Sequence, residues 1–316
     1  MRVLVTGSSG WLGRAICPRL RQAGHETIGL DPAPGAQTDI LASVADRDAV
    51  DRAFADHTID GVIHAGALHK PDIALYPEQA FIDVNVTGTL NLLEATRAAG
   101  VKRLVFTSTT SLMISQAIRD EAVDAAVFLD ETTGPLAPRN IYGVTKLSAE
   151  GLCRLYATSG GPNVVVLRTA RFFPEDDDTL KALSGPNLKA NEFLNRRLTV
   201  EDTAQACLTA LEAAERLTFD LFVISAPTPF TRADAPMLMR DARVVILERF
   251  PAAEALYAAK GWTLPHRIGR VYDACRAEQV LGFRARTDFA AILDALRRGE
   301  PPPFDHDATY VSPLVT

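Results

Sequence analysis

The sequence predicts an α/β fold, in which a doubly wound parallel sheet is joined to a smaller, discontinuous C-terminal domain. Short runs rich in β-branched residues recur along roughly the first 225 residues, and helical stretches separate them. The apolar residues in these runs are continuous rather than alternating, which is typical of strands covered on both faces. Strands that alternate with helices favour a parallel sheet with right-handed crossovers.

Six apolar runs are the predicted strands, and four stretches between them are the clearest predicted helices. The strands are RVLVTG (2–7), ETIGLD (26–31), DGVIHAG (60–66), RLVFTST (103–109), NVVVLRT (163–169) and FDLFVIS (219–225). The helices are 11–23, 80–99, 140–159 and 200–216. The alternation of the two patterns decides the assignment, because a short apolar run alone does not separate a strand from a buried helical turn.

The character of the sequence changes after residue 169, where the acidic, turn-like run PEDDD (174–178) appears and prolines later become frequent. We therefore expect a main domain over 1–170 and 199–226, and a smaller domain over 171–198 and 227–316. A domain split in this way commonly covers a site held by the first domain. We expect the tail from Gly299 onward to be poorly ordered or to lie across the surface.

Composition excludes several classes of function. The net charge of −6 and the lack of any Lys/Arg cluster argue against a nucleic-acid partner. The four cysteines are widely spaced and form no CxxC pair or Cys/His cluster, so we expect no metal site and a reducing, cytoplasmic location. No apolar run approaches the ~20 residues that span a bilayer, so we expect no membrane partner.

Three glycines stand where the first strand gives way to the first helix, in TGSSGWLG (6–13). Gly7 allows a sharp turn, Gly10 allows the backbone to approach a pyrophosphate, and Gly13 allows the helix to lie close to the sheet. The first N–H groups of the helix would face the phosphates. The motif therefore predicts a Rossmann-type dinucleotide-binding loop, with a glycine-rich turn that binds nothing as the alternative.

Asp31 ends the second predicted strand. A carboxylate at this position can accept both hydroxyls of the adenosine ribose and repels a 2′-phosphate, which favours NAD over NADP. A turn-forming aspartate before Pro32 is the alternative. We expect Asp39 to hydrogen-bond the adenine and Ile40 to pack against it.

The segment NIYGVTK places Tyr142 and Lys146 on one face of a helix. A tyrosine with its ordinary pKa of ~10 is a poor base at neutral pH, and a neighbouring ammonium favours its ionised form. FTSTTS (106–111) ends the fourth strand, and Thr109 is the hydroxyl best placed to meet Tyr142 across a substrate oxygen. We predict that Tyr142 moves the proton, Thr109 orients that oxygen and Lys146 holds the nicotinamide ribose. An ordinary amphipathic helix is the alternative.

Taken together, these motifs resemble an extended short-chain dehydrogenase/reductase of the NAD-dependent epimerase/dehydratase family. The resemblance covers roughly residues 1–225 well and the C-terminal part only loosely. The segments that carry it are TGSSGWLG (6–13), Asp31, HAGA (64–67), Asn85 in VNVTGTLNLLEA, TST (107–109), YGVTK (142–146) and RRLTVEDTAQA (196–206).

The resemblance implies NAD as the cofactor and assigns the site residue by residue. Thr109, Tyr142 and Lys146 are the implied catalytic residues, while Asn85 fixes its helix near the site or satisfies a buried backbone group. The resemblance also implies a homodimer formed through helices 80–99 and 140–159, with packing inside one chain as the alternative. The implied cofactor-binding residues are Gly7, Gly10, Trp11, Leu12, Gly13, Asp31, Asp39, Ile40, Ala65, Gly66, Ala67, Asn85, Thr107, Tyr142 and Lys146.

The implied substrate is a small, sugar-like molecule. Arg171 follows the strand 163–169, at a position where a nucleotide-sugar epimerase usually has asparagine. The alternative to a substrate contact is that Arg171 lies on the surface and pairs with the acidic run 175–178. The other candidates have surface or structural roles as their alternatives. The candidate substrate contacts are Thr110, Ser111, Arg171, Asn191, Arg197 and Arg270.

Members of this family use one hydride transfer for different reactions. Dehydratases carry an Asp-Glu pair just after the catalytic threonine, and Thr110 and Ser111 stand there instead, which disfavours elimination of water. We favour a sugar or nucleotide-sugar epimerase. An NAD-dependent dehydrogenase of a small sugar, uronate or hydroxy acid is the alternative, because the segment from Arg168 to Arg196 is short for a nucleotide-sugar site. A third hypothesis is a non-catalytic protein that senses a dinucleotide.

Overall fold

The computed structural model describes residues 1–121, 123–176 and 182–313. The strands are β1 (Arg2–Thr6), β2 (Glu26–Asp31), β3 (Ile40–Leu41), β4 (Gly61–His64), β5 (Arg103–Thr109), β6 (Val127–Leu129), β7 (Asn163–Thr169), β8 (Phe219–Ile224) and β9 (Arg270–Tyr272). The α-helices are α1 (Gly13–Gln22), α2 (Arg47–Asp56), α3 (Glu78–Phe81), α4 (Gly88–Ala98), α5 (Gln116–Arg119), α6 (Ile141–Thr158), α7 (Gly185–Glu192), α8 (Val200–Ala213), α9 (Ala235–Arg249), α10 (Ala253–Ala259) and α11 (Phe289–Arg298).

A seven-stranded parallel sheet forms the centre of the fold, with the strand order β3-β2-β1-β4-β5-β7-β8. The six predicted strands all lie in it, and the predicted α/β class is confirmed. The sequence did not predict β3, an edge strand of two residues that pairs with the end of β2. Two residues are too few to form a recognisable apolar run.

The helix predicted over 80–99 is divided into three parts. A π-helical segment, Ile82–Thr87, separates α3 from α4. Within it, the Asn85 side chain bonds the backbone of Leu68 and the hydroxyl of Thr145. These partners are distant in the sequence, so the apolar periodicity of the segment did not reveal the interruption.

Two apolar clusters cover the two faces of the central sheet, which explains why its strands are apolar throughout. One cluster includes side chains of α1 and α8, and the other includes side chains of α2, α4 and α6. A third cluster joins the later helices α9, α10 and α11 around buried residues such as Phe193 and Tyr257. The main sheet is thus held rigidly between helices, and its strand ends are left to form a site.

The small sheet of β6 and β9 joins chain segments that are far apart in the sequence. β6 belongs to the part predicted as the main domain, whereas β9 belongs to the part predicted as the smaller one. The described part of the tail lies across the surface: Tyr310 packs edge-on against Trp11, and the backbone N–H of Asp307 donates to the carbonyl of Pro174. Within the described residues, no helix combines the length and the apolar character that crossing a membrane requires.

Candidate active site

A cavity of about 1310 Å³ opens at the carboxyl ends of the central strands. The order of the sheet reverses between β1 and β4, and ligands of open α/β sheets bind at such a switch point. Pockets for one small ligand measure ~300–1,000 Å³, so this cavity has room for a cofactor and a second molecule. Its walls come from the glycine loop, the strand ends, the start of α6 and the C-terminal elements.

The glycine loop has the backbone geometry that a dinucleotide needs. Gly7 has a φ of +73°, and a Cβ there would lie 2.7 Å from the Cα of Gly66. A Cβ on Gly13 would overlap the carbonyl oxygen of Gly7, so any side chain would push α1 away from the loop. A Cβ on Gly10 would meet only that same oxygen, at 3.2 Å, and Gly10 faces the cavity. These residues therefore fit a closely approaching pyrophosphate, as NAD would present.

Asp31 lies at the end of β2, buried at the wall of the cavity. Its carboxylate accepts backbone N–H groups from Ser9 at 3.0 Å and from Ala33 at 2.8 Å. Burial raises its pKa, and these backbone hydrogen bonds oppose the rise. Because a carboxylate oxygen accepts more than one hydrogen bond, the same group can hold the glycine loop and still accept ribose hydroxyls.

Asp39 and Ile40 are not among the residues that line the cavity, and their expected contact with adenine stays a prediction. The Asp39 carboxylate accepts the backbone N–H of Gly29 at 2.8 Å. Ile40 pairs with Leu30 in the edge strand β3. Both residues therefore form contacts that hold β2 in place, which explains their positions.

Replacing Asp31 by alanine is expected to weaken NAD binding about tenfold or more and to narrow the preference for NAD over NADP, because a charged hydrogen-bond acceptor is lost. Fluorescence titration of the purified protein with each dinucleotide measures both effects. Asp60→Asn is the matched control, since that carboxylate also accepts a backbone N–H but lies outside the cavity. An unchanged preference in Asp31→Ala would remove the assigned role.

The start of α6 brings the predicted catalytic residues to the cavity. The Asn140 side chain caps the helix by accepting the backbone N–H of Gly143, and Tyr142 and Lys146 follow on successive turns. The Lys146 ammonium is buried and donates to the carbonyl of Thr107 at 2.8 Å. At the end of β5, the Thr109 hydroxyl donates to the Ser111 hydroxyl at 3.0 Å and is close enough to the Tyr142 phenol to lower its pKa. All of these residues line the cavity.

The electrostatics differ from the expectation that Lys146 makes Tyr142 acidic. Burial raises the pKa of Tyr142 to about 12; the hydrogen bond from Thr109 opposes this rise, and the charge of Asp72 adds to it. Burial also lowers the pKa of Lys146 to about 8. At neutral pH the phenol therefore keeps its proton in the cofactor-free protein. It can donate that proton directly, and it needs further positive charge nearby to accept one.

Asn85 lies behind the cavity wall and does not line it. Its side chain accepts the backbone N–H of Leu68 at 2.9 Å and donates to the carbonyl of the same residue at 2.9 Å. The loop that it fixes, 65–68, lines the cavity. Asn85 therefore satisfies backbone groups and positions the loop, which was the alternative to a direct role.

Most of the candidate substrate contacts line the cavity, namely Thr110, Ser111, Arg171, Asn191 and Arg270. Arg197 does not line it, because its buried side chain pairs with Glu192 at 2.8 Å and donates to the carbonyl of Phe173. Arg171 pairs with Glu175 at 3.8 Å and donates to the carbonyl of Asp176. The structure therefore shows Arg171 paired with the first residues of the acidic run, as the alternative predicted. Residues 177 and 178 of that run lie outside the described residues.

Several cavity residues had no role in the sequence motifs. Asp72 is buried and accepts a hydrogen bond from His69 at 2.5 Å, and both residues line the cavity. Arg119 and Arg139 also line it. Of these residues, only Arg139 could have been identified from the sequence, because it directly precedes the cap of the YxxxK helix.

Comparison with known proteins matches residues 3–184 to the NAD dependent epimerase/dehydratase family. An L-arabinose 1-dehydrogenase (NAD(P)(+)) of Haloferax volcanii is 33% identical over 181 residues, which are 56% of this chain and 69% of that protein. A UDP-glucose 4-epimerase of Bacillus subtilis is 30% identical over 184 residues, which are 53% of this chain and 52% of that protein. The match thus spans about half to two thirds of these relatives.

Among solved structures, a short-chain dehydrogenase/reductase superfamily protein from Agrobacterium tumefaciens with bound NAD has a TM-score of 0.67 and 24% identity, covering 95% of this chain and 98% of that one. At this identity the likeness supports the fold. The comparisons confirm the family, the enzyme class and the cofactor that the sequence motifs predict. Because the family match covers more than half of the 316 residues, the chain belongs to the NAD-dependent epimerase/dehydratase family.

Proposed function

We propose that Thr109, Tyr142 and Lys146 carry out proton and hydride transfer at a hydroxyl-bearing carbon of a sugar, with NAD as the cofactor, and that the reaction is the epimerisation of a sugar or nucleotide sugar. One observation carries this proposal. The Tyr142 phenol, with Thr109 beside it, faces the same cavity as a glycine loop shaped for a pyrophosphate.

Each residue has a distinct task in this proposal. Thr109 orients the substrate oxygen by hydrogen bonding, and Tyr142 takes the hydroxyl proton and later returns it. Lys146, whose ammonium is fixed by the Thr107 carbonyl, holds the nicotinamide ribose. NAD, when bound, supplies the hydride acceptor and a positive charge beside the phenol.

Two reactions use this chemistry. An epimerase retains the ketone and returns the hydride to its other face, and the likeness to UDP-glucose 4-epimerase favours this reaction. A dehydrogenase releases its product and NADH. The short segment from Arg168 to Arg196 and the likeness to L-arabinose 1-dehydrogenase favour this second candidate, which would act on a small sugar, uronate or hydroxy acid.

We also propose which residues bind the cofactor, which cover the substrate, and how two copies of the chain form a dimer. Residues 1–170 and 199–226 bind NAD, and residues 171–198 and 227–316 cover the substrate. Ile82, Val144 and Leu155 are exposed apolar side chains on the π-helical segment and α6, the elements proposed to pair in a homodimer. The four cysteines are free thiols, which favours a cytoplasmic location.

The reaction is tested by incubating the purified protein and NAD with panels of uronates, free sugars and UDP-sugars, with Tyr142→Phe as the background control. An isomerised product without accumulating NADH is expected for the epimerase. Stoichiometric NADH would select the dehydrogenase. If NAD binds and no panel member is converted, the enzymatic proposal is wrong and a dinucleotide sensor replaces it.

A further inference from the structure

Three arginines from distant parts of the chain line one end of the cavity. Arg119 ends α5, Arg139 precedes the cap of α6, and Arg270 begins β9. Arg139 is three residues before Tyr142 in the sequence, so the cluster lies beside the start of α6. The charges of Arg119 and Arg270 act on Arg139, so the fold gathers three guanidinium groups at one part of the cavity wall.

The described residues place no carboxylate at ion-pair distance from the arginines of this cluster. Within residues 1–121, 123–176 and 182–313, no carboxylate forms an ion pair with Arg119, Arg139 or Arg270. Arg139 donates to the neutral side chain of Gln116 at 3.2 Å. The Nε of Arg270 is buried and has no hydrogen-bond partner among the described residues.

Asp120 and Glu121, which follow Arg119 in the sequence, form other contacts. The Asp120 carboxylate accepts hydrogen bonds from the Gln116 amide at 2.8 Å. Glu121 faces Arg267 at 3.9 Å. Burial lowers the pKa of Arg139, and the positive charges of Arg119 and Arg270 lower it further, while Asp120 opposes them.

Two other arginines of the cavity wall have carboxylate partners in the protein. Glu175 pairs with Arg171 at 3.8 Å, and Glu192 pairs with Arg196 at 2.9 Å. Those charges compensate one another within the protein. Arg119, Arg139 and Arg270 differ from them, because no carboxylate of the described residues lies at ion-pair distance from these three.

We propose that Arg119, Arg139 and Arg270 bind an anionic group of the substrate, either the carboxylate of a sugar acid or the diphosphate of a nucleotide sugar. Guanidinium groups bind both through paired, charge-assisted hydrogen bonds. A ligand anion would offset the mutual repulsion of the arginines and satisfy the buried Nε of Arg270. The proposal extends and rests on the proposed function, because it names the kind of molecule that the site accepts.

The test uses pairs of probes that differ in one anionic group, and a protein saturated with NADH, so that no turnover takes place. Calorimetry compares D-glucuronate with neutral D-glucuronamide, and UDP with neutral uridine. We expect the wild-type protein to bind at least one anion about tenfold more tightly than its neutral partner, and Arg139→Gln/Arg270→Gln to lose that advantage. Preference for glucuronate identifies a carboxylate, and preference for UDP identifies a diphosphate.

The matched control is Arg52→Gln/Arg240→Gln, which removes the same charge from two exposed arginines outside this cavity. It should keep the wild-type discrimination, and both double variants should keep the affinity for NADH. The proposal is overturned if the wild-type protein binds neither anion better than its neutral partner, or if Arg139→Gln/Arg270→Gln discriminates as the wild type does. Anion binding without turnover would contradict the proposed function alone, and turnover of a neutral sugar without anion binding would contradict this inference alone.

Discussion

Replacing Tyr142 by phenylalanine is expected to lower turnover by about 10²- to 10⁴-fold and to leave NAD binding nearly unchanged. Proton transfer by a positioned side chain contributes about that factor to catalysis. The substitution removes the phenolic oxygen alone, and the aromatic ring still fills its place at the start of α6. Thr109 and Lys146 would then remain beside a group unable to take or give a proton.

Steady-state rates with the substrate found in the panel, together with dinucleotide titration, measure the two parts of this prediction. Tyr156→Phe is the matched control, because Tyr156 lies on the same helix and bonds Glu94 at 3.1 Å, outside the cavity. It should keep near wild-type turnover. A Tyr142→Phe protein with more than a tenth of wild-type activity would mean that another group moves the proton.

Replacing Glu150 by alanine is expected to lower the free energy of unfolding by about 3–5 kcal/mol, the usual loss when one partner of a buried ion pair is removed. Both oxygens of Glu150 bond Arg168, at 3.0 and 2.7 Å, and one of them also accepts the Ser108 hydroxyl at 2.6 Å. Glu150 is 6% exposed and Arg168 is 4% exposed, so the alanine variant would leave a guanidinium in the core without its counter-charge. The pair joins α6, which carries Tyr142, to β5 and β7.

Urea unfolding followed by circular dichroism gives the free-energy difference. Glu254→Ala is the control, because its pair with Arg243 is exposed and should contribute about 1 kcal/mol or less. The double variant Glu150→Met/Arg168→Met should recover much of the loss, since no unpaired charge remains. A loss in Glu150→Ala no larger than that of the exposed control would contradict the role given to this pair.

The central fold and the glycine loop could be predicted because their signals are local in the sequence. Each strand of the main sheet except β3 is one continuous apolar run, and each crossover helix lies between two such runs. The requirement for small residues at Gly7 and Gly13 also arises within one strand-turn-helix unit and its neighbour Gly66. The spacing of Tyr142 and Lys146 is likewise set by a single helix.

Other features depend on contacts that join distant segments, and the sequence did not reveal them. Arg197 had the charge expected of a substrate contact, but its buried side chain instead pairs with Glu192 and bonds the carbonyl of Phe173 inside the protein. Asp39 accepts a hydrogen bond from the backbone of Gly29, a contact that its place in the sequence did not indicate, and its contact with adenine stays a prediction.

The cluster of Arg119, Arg139 and Arg270 exists only because the C-terminal elements return to the start of α6. The raised pKa of Tyr142 has a similar origin, because it depends on burial that the YxxxK spacing does not specify.

The central claim is that a sugar carbon passes its hydrogen to NAD inside the cavity that Tyr142 faces. The most direct measurement uses a substrate identified in the panel and labelled with deuterium at the reacting carbon. The protein and NAD are mixed with it, quenched with denaturant during turnover, and the nicotinamide is analysed by mass spectrometry. We expect deuterium on the reduced nicotinamide of the wild-type protein and almost none in Tyr142→Phe. Turnover by the wild-type protein with no deuterium on the nicotinamide would contradict the claim.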